Sequence, residues 1–261
     1  MADLSTLDLH LSTLPAWAFA FVLVTARIGA AMALLPGLGE TEPPMMVRVG
    51  LTVGVTVLLL PGTAPFMPKV PEAGTQAALM VIAEIITGLW FGWLARLLVL
   101  SLPIAGQFIS YMLGVANVLQ PDPELGSQAT PLERMFDLGA AVIVLASGLY
   151  ALPLMALAGS YQLIPAGTLL PAADTAQAAA RAAGLAFSLA VRLASPFLLV
   201  SIVWHVGTGL LARLVPRMQV YFVVMPGQIL GGLVLLSVIA GTLLAAWENA
   251  VRAGFNLLPG H

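Results

Sequence analysis

Charges set inside long apolar runs constrain this chain more than any other feature. Arg27, Glu84, Arg96, Arg181 and Arg192 all lie within or against apolar stretches, although only 8% of the 261 residues are charged and 60% are hydrophobic. An arginine or aspartate at the centre of a membrane helix costs roughly 2.5–3.5 kcal/mol on insertion scales. Such side chains face other protein or a watery path, not lipid. The chain therefore reads as an all-α polytopic membrane protein whose helices pack against partners or around a conduit.

Composition narrows the class. Soluble domains average about 25% charged residues, so a chain of mean hydropathy +1.00 cannot cover a water-facing surface. No long polar linker divides residues 1–261, which predicts a single membrane domain. A net charge of −2 without a basic block gives no support to nucleic-acid binding. The absence of cysteine rules out disulfides, thiolate metal sites and cysteine nucleophiles. Asp3 and Asp8 precede the first apolar run with no Lys or Arg, so that run is expected to be an uncleaved span rather than a signal peptide.

Apolar helices are expected over 14–35, 45–60, 77–119, 132–157, 176–209 and 220–247. The first of these reaches about 33 Å at 1.5 Å per residue, enough to cross hydrocarbon. Pro36, Pro43, Pro44 and Pro61 punctuate the first half, Pro103 falls within the third run, and Pro196 is expected to break or kink the long run at 176–209. Residues 120–131 form the most polar internal segment and 159–173 a second loop. Arg134 and Asp137 stand three apart, a spacing for local pairing on a helix. The loop bearing Arg213, Pro216 and Arg217 has no acid, and the positive-inside rule puts it in the cytoplasm.

Three constellations carry physical content. Glu84, Gly88, Gly92 and Arg96 follow one another at steps of four, along one ridge of a helix. The Gly88/Gly92 pair lets another backbone approach closely, giving a seam bracketed by ion pairs; chance occurrence of glycine is the alternative. Gly50/Gly54 and Gly227/Gly231 repeat the spacing. Gln177, Arg181, Ser188, Arg192 and Ser195 fall within about 60° of one another at helical periodicity. That stripe meets acidic partners or a polar lumen, unless Arg181 snorkels to a headgroup and Arg192 pairs within the chain. Finally, residues 106–128 combine Gly106, Gly114 and Gly126 with Tyr111, Met112, Asn117, Gln120 and Gln128. A gate or re-entrant segment fits there, since irregular backbone at membrane depth survives where it lines a cavity; a plain helix–turn–helix connection is the alternative.

No enzyme is visible. His10, His205 and His261 are isolated, and neither HExxH, GxSxG nor a phosphate loop occurs, so no cofactor is expected.

Residues along nearly the whole chain carry a resemblance. Arg27 precedes Pro36, Pro44, Arg48, Gly50 and Pro61; then come Glu84, Gly88, Gly92, Gly106, Met112 and Gly114; Asp122-Pro123, Gln128 and Pro131 follow. Near the end stand Arg213-Leu-Val-Pro216-Arg217-Met-Gln-Val220 and Tyr-Phe-Val-Val-Met-Pro226. In order and spacing this is similar to the FliR family of flagellar biosynthetic proteins, whose virulence counterparts belong to the injectisome. Where the family commonly has Pro-Gln-Met/Leu-Asn-Val, this chain has Pro216-Arg-Met-Gln-Val220.

The resemblance implies a subunit of the type III protein-export gate in the bacterial inner membrane, at the flagellar basal body. One copy would close a helical ring of FliP and FliQ subunits, with many helices raised toward the periplasm. Unfolded flagellar substrates would pass through, aided by FlhA and FlhB. The segment from Tyr111 to Gln128, with Met112, Gly114, Asn117, Gln120, Asp122 and Pro123, looks like the plug of that gate. Arg213, Pro216 and Arg217 would face the cytoplasmic partners. The rivals are a small-solute secondary transporter, which calls for paired broken helices in two related halves that are not found here, an injectisome subunit of the same fold, and a membrane scaffold without a pore.

Overall fold

A computed structural model describes residues 4–39, 44–118, 130–214 and 220–260. Among the described residues the regular structure is entirely helical. The α-helices are α1 (Leu4–Met32), α2 (Met45–Thr63), α3 (Gly74–Val99), α4 (Ser101–Leu113), α5 (Val115–Val118), α6 (Pro131–Ala146), α7 (Ala151–Leu163), α8 (Ala172–Leu214) and α9 (Val220–Phe255). Five stretches among these are long and apolar enough to cross a membrane; α6 and α7, bent by 68°, would make a sixth as a pair. The chain is an all-α polytopic membrane protein.

Breaks in the expected helices have local causes. The run expected at 77–119 is divided into α3, α4 and α5. Pro103 sits in the first turn of α4, where its missing N–H is not needed. Gly114, at φ +74°, ends α4 in the left-handed conformation that favours glycine. The run expected at 132–157 is interrupted after Ala146, where Gly148 adopts φ +72°. Its second half, α7, continues to Leu163, beyond the expected loop start at 159. It ends at Ile164, which is pushed to φ −129° and ψ 88° ahead of Pro165. α8 runs through Pro196 as one helix of 43 residues. At about 64 Å it exceeds the roughly 30 Å hydrocarbon layer.

The chain forms two compact units. The first comprises residues 1–96, 147–181 and 254–261. Its core holds Leu23, Val24, Ile28, Phe91, Leu94 and Leu157, closed by Phe255 and Leu258 from the C-terminal end. α2 packs on α1, yet only 6% of its apolar stretch is buried. The second unit comprises residues 97–146 and 182–253. Here α4 and α6 pack closely: a Cβ at Gly106 would stand 2.8 Å from the Phe136 ring and 3.0 Å from the Leu132 carbonyl oxygen. Trp247 of α9, fully buried, donates its indole N–H to Ser101 Oγ of α4 at 3.1 Å.

Candidate functional site

In the first unit the ionic site is built on three helices and a loop. Arg27 of α1 and Glu84 of α3 are both fully buried and form a two-pronged pair: Arg27 Nε donates to Glu84 Oε2 at 2.8 Å, and Nη2 to Oε1 at 2.9 Å. Arg27 Nη1 donates to Ser160 Oγ of α7 at 3.0 Å, and Nη2 also to the Ile164 carbonyl at 3.1 Å. The Ser160 hydroxyl gives its own proton to the Leu157 carbonyl at 2.6 Å, which leaves its oxygen free to accept from Arg27. The guanidinium lies 4.0 Å from the Tyr161 ring centroid, a cation–π stack. On the other side, Glu84 Oε1 accepts the Gly167 N–H at 2.7 Å.

Burying one ion costs several kcal/mol, and the mutual attraction offsets this only when geometry is good and the remaining polar atoms are satisfied. Here the planar guanidinium fork matches the carboxylate edge to edge. Two further donors meet a hydroxyl and a carbonyl, and the guanidinium face rests on the Tyr161 ring. The pair thereby ties α1, α3, α7 and the turn at Gly167 into one ionic knot.

The glycine ridge lies directly beside it. A Cβ at Gly88 would run into the Arg27 carbonyl oxygen and stand 2.9 Å from Ala30 Cβ. One at Gly92 would stand 2.6 Å from the Ala31 carbonyl oxygen and 3.0 Å from Leu34 Cβ. The backbone of α1 thus presses on α3 at the level of the ion pair. The similar spacings elsewhere do not do this: Gly50, Gly54 and Gly231 have open space where a Cβ would go, and Gly227 has ordinary contact with Trp204. Arg96, at the far end of the ridge, is half-buried in the last turn of α3.

In the second unit lies the segment read as a gate. Tyr111 is exposed near the end of α4, and Met112 is half-buried. Gln228 of α9 donates its side-chain N–H to the Met112 carbonyl at 2.8 Å. Ser110 Oγ lies 2.9 Å from Thr130 Oγ1, so the end of α4 is tied to the start of α6. Thr130 caps α6 reciprocally: its backbone N–H donates to Glu133 Oε2 at 3.1 Å, and its Oγ1 accepts the Glu133 N–H at 3.3 Å. Asn117 falls in α5; Gln120, Asp122 and Pro123 lie outside the described residues, as do Pro216 and Arg217 of the basic loop.

On α8, Gln177, Arg181, Ser188, Arg192 and Ser195 are all exposed. Neither Arg181 nor Arg192 forms an ion pair among the described residues, and both serine hydroxyls donate to carbonyls of their own helix. Arg213 is exposed at the C-terminal end of α8. Arg134 and Asp137 do pair locally, at 2.7 Å. Among the described residues no three His, Cys, Asp or Glu side chains gather as metal ligands would.

Sequence reasoning did not find Ser160, Tyr161, Ile164, Gly167, Ser110, Thr130 or Gln228. The cluster Ser160-Tyr161-Gln162 inside an apolar helix was a readable signal; the backbone donors and acceptors carry none.

Residues 18–254 match the family described as bacterial export proteins, family 1. The chain is 29% identical over 230 residues to a flagellar biosynthetic protein FliR of Caulobacter vibrioides, covering 88% of this chain and 92% of the relative. It is 26% identical over 235 residues to the Bacillus subtilis protein of the same name, covering 88% and 89%. It is also 24% identical over 209 residues to Yop proteins translocation protein T of Yersinia pestis, covering 79% and 80%.

Proposed function

The chain belongs to family 1 of the bacterial export proteins, and from that membership we propose that it is a structural and gating subunit of the flagellar type III protein export channel. The carrying observation is the extent of the family match, which runs from residue 18 to residue 254 and takes in both compact units. The flagellar reading is favoured over the injectisome one because the FliR proteins of Caulobacter vibrioides and Bacillus subtilis match 88% of the chain at 29% and 26% identity, against 79% at 24% for the Yersinia translocation protein.

In this reading residues 1–261 act as one export-gate subunit of the inner membrane, at the flagellar basal body. It assembles with FliP and FliQ and meets FlhA and FlhB on the cytoplasmic side, near Arg213, Pro216 and Arg217. Unfolded flagellar proteins are its passengers, and its part is mechanical rather than catalytic. Tyr111, Met112, Gly114, Asn117, Gln120, Asp122 and Pro123 serve the gate. Exposed Tyr111, the irregular backbone at Gly114 and the tie between Ser110 and Thr130 support that assignment. The Arg27–Glu84 knot and the Gly88/Gly92 seam are structural, holding the first unit rigid. Arg181 and Arg192, exposed among apolar neighbours, suit contact with acidic groups of other subunits.

Native mass spectrometry of the chain co-expressed with its FliP and FliQ candidates tests this, together with restoration of motility in a strain lacking the chain. One copy in a defined hetero-oligomer, with motility restored, is the expected result. A stable monomer that ignores those partners would overturn the reading and bring the small-solute transporter forward.

A further inference from the structure

The last four carbonyls of a helix lack donors within it. At the end of α4, the N–H of Gly114 serves the carbonyls of Ser110 and Tyr111. The Met112 carbonyl is served instead by a side chain 116 positions away, the amide of Gln228 on α9. One turn further along α9, Gly232 turns bare backbone to the next residue of α4: a Cβ there would meet Leu113 Cγ and stand 2.8 Å from its Cδ2. Residues four apart share one helix face, so Gln228 and Gly232 together grip two consecutive residues of α4. Both lie along a cavity of about 120 Å³ that Met112, Leu113, Phe197 and Trp204 also line. The wall is mostly apolar, so the Gln228 amide gains from a carbonyl partner there, and only a residue without a side chain leaves room for Leu113.

We propose that Gln228 and Gly232 form a latch on α9 that holds the C-terminal end of α4 in the closed state, and that the export path opens only when this contact parts. The proposal rests on the export-gate reading, and it adds two positioning residues that act through Met112 and Leu113. Opening requires Leu113 to leave the Gly232 socket and the Met112 carbonyl to find another donor. The grip is also well placed for control. α9 begins at Val220, so Gln228 lies about 12 Å along a continuous helix from the end that follows the Arg213 region. A partner pulling on that end acts about two turns from the latch, across Pro226.

The absence of native cysteine makes the test clean. Leu113→Cys with Gly232→Cys puts one thiol on each side of the contact, close enough for oxidation to join them once the side chains adjust. In the full chain co-expressed with FliP and FliQ, export is read from the same variant reduced and oxidised, so the reduced pair is the reference. Oxidation should cross-link the pair, cut export at least about tenfold without loss of the complex, and be reversed by reductant. No cross-link in the assembled complex, or undiminished export from a cross-linked one, overturns the latch. If the cysteine pair does not assemble, Gln228→Leu decides. An assembled complex with ion leakage raised about tenfold supports the latch, and wild-type leakage sinks it. A wild-type chain that neither assembles with FliP and FliQ nor restores export refutes the export-gate reading itself, an outcome separate from every result on the variants.

Discussion

Arg27 shows how one side chain can be charged, fully buried and still compatible with a folded membrane protein. Its nitrogens reach a carboxylate, a hydroxyl and a backbone carbonyl, and its flat face rests on Tyr161. Removing one partner leaves an unpaired buried charge, a change worth about 3–5 kcal/mol in comparable pairs. Arg27→Met and Glu84→Leu should therefore each sharply reduce the amount of folded chain recovered from membranes, and the double replacement should recover much of it. The swap Arg27→Glu with Glu84→Arg should not. Ser160 Oγ, the Ile164 carbonyl and the Tyr161 face all favour a cation on α1, and the Gly167 N–H favours an anion on α3. Recovery by the swap would show that the surroundings do not set the polarity. Tyr161 offers a finer probe, because its hydroxyl finds no partner among the described residues. Tyr161→Phe keeps the ring and should leave thermal stability unchanged or slightly raised, while Tyr161→Ala should lower it by about 3–5 kcal/mol. Equal effects of the two, read in a detergent melting assay, would remove the ring from the account.

Element packing depends on where glycine meets backbone. Three pairs share the four-residue spacing, and the pair on α3 alone lies under the backbone of another helix. Gly88→Val should force α1 away from α3, strain the Arg27–Glu84 pair and destabilise by at least the ~1–3 kcal/mol typical of overpacking. Gly50→Val on α2 opens into free space and should cost little. Thermal melting of the two variants side by side checks this; a harmless Gly88→Val would mean that the seam is looser than its geometry requires. α4 obeys the same logic at its ends. Pro103 opens it, Gly114 closes it, and Gly106 lets α6 lie against it, so a run of unbroken hydrophobicity becomes a short, closely packed helix.

The whole molecule exposes far more apolar surface than it buries along α2, α8 and α9. In the most apolar stretch of α9 only 17% is buried. Lipid or partner subunits must cover the rest. Within that surface Arg181 and Arg192 stand exposed on α8 and mark a face suited to acidic partners. Arg181→Glu with Arg192→Glu should leave the abundance of the chain near wild type while lowering the yield of hetero-oligomer about tenfold or more by native mass spectrometry. An unchanged yield would assign both side chains to lipid headgroups. Arg213, at the end of α8, serves as the control site for charge reversal.

Much of this protein is determined by sequence alone. Sparse charge and long apolar runs settle the class, because water cannot solvate such a surface and lipid cannot solvate an irregular backbone. The order of arginines, glycines and prolines is enough to carry the resemblance to the export family. Arg27, Glu84, Gly88 and Gly92 stand out in the sequence because a charge, or a glycine beside one, is conspicuous in an apolar helix. Tertiary structure decided how they are used. That Arg27 meets Glu84 across 57 positions, or that Gln228 caps α4 across 116, follows from which helices lie side by side. Local sequence holds no record of that adjacency. Backbone groups such as the Ile164 carbonyl and the Gly167 N–H are the same in every residue, so only the fold can make them part of a site.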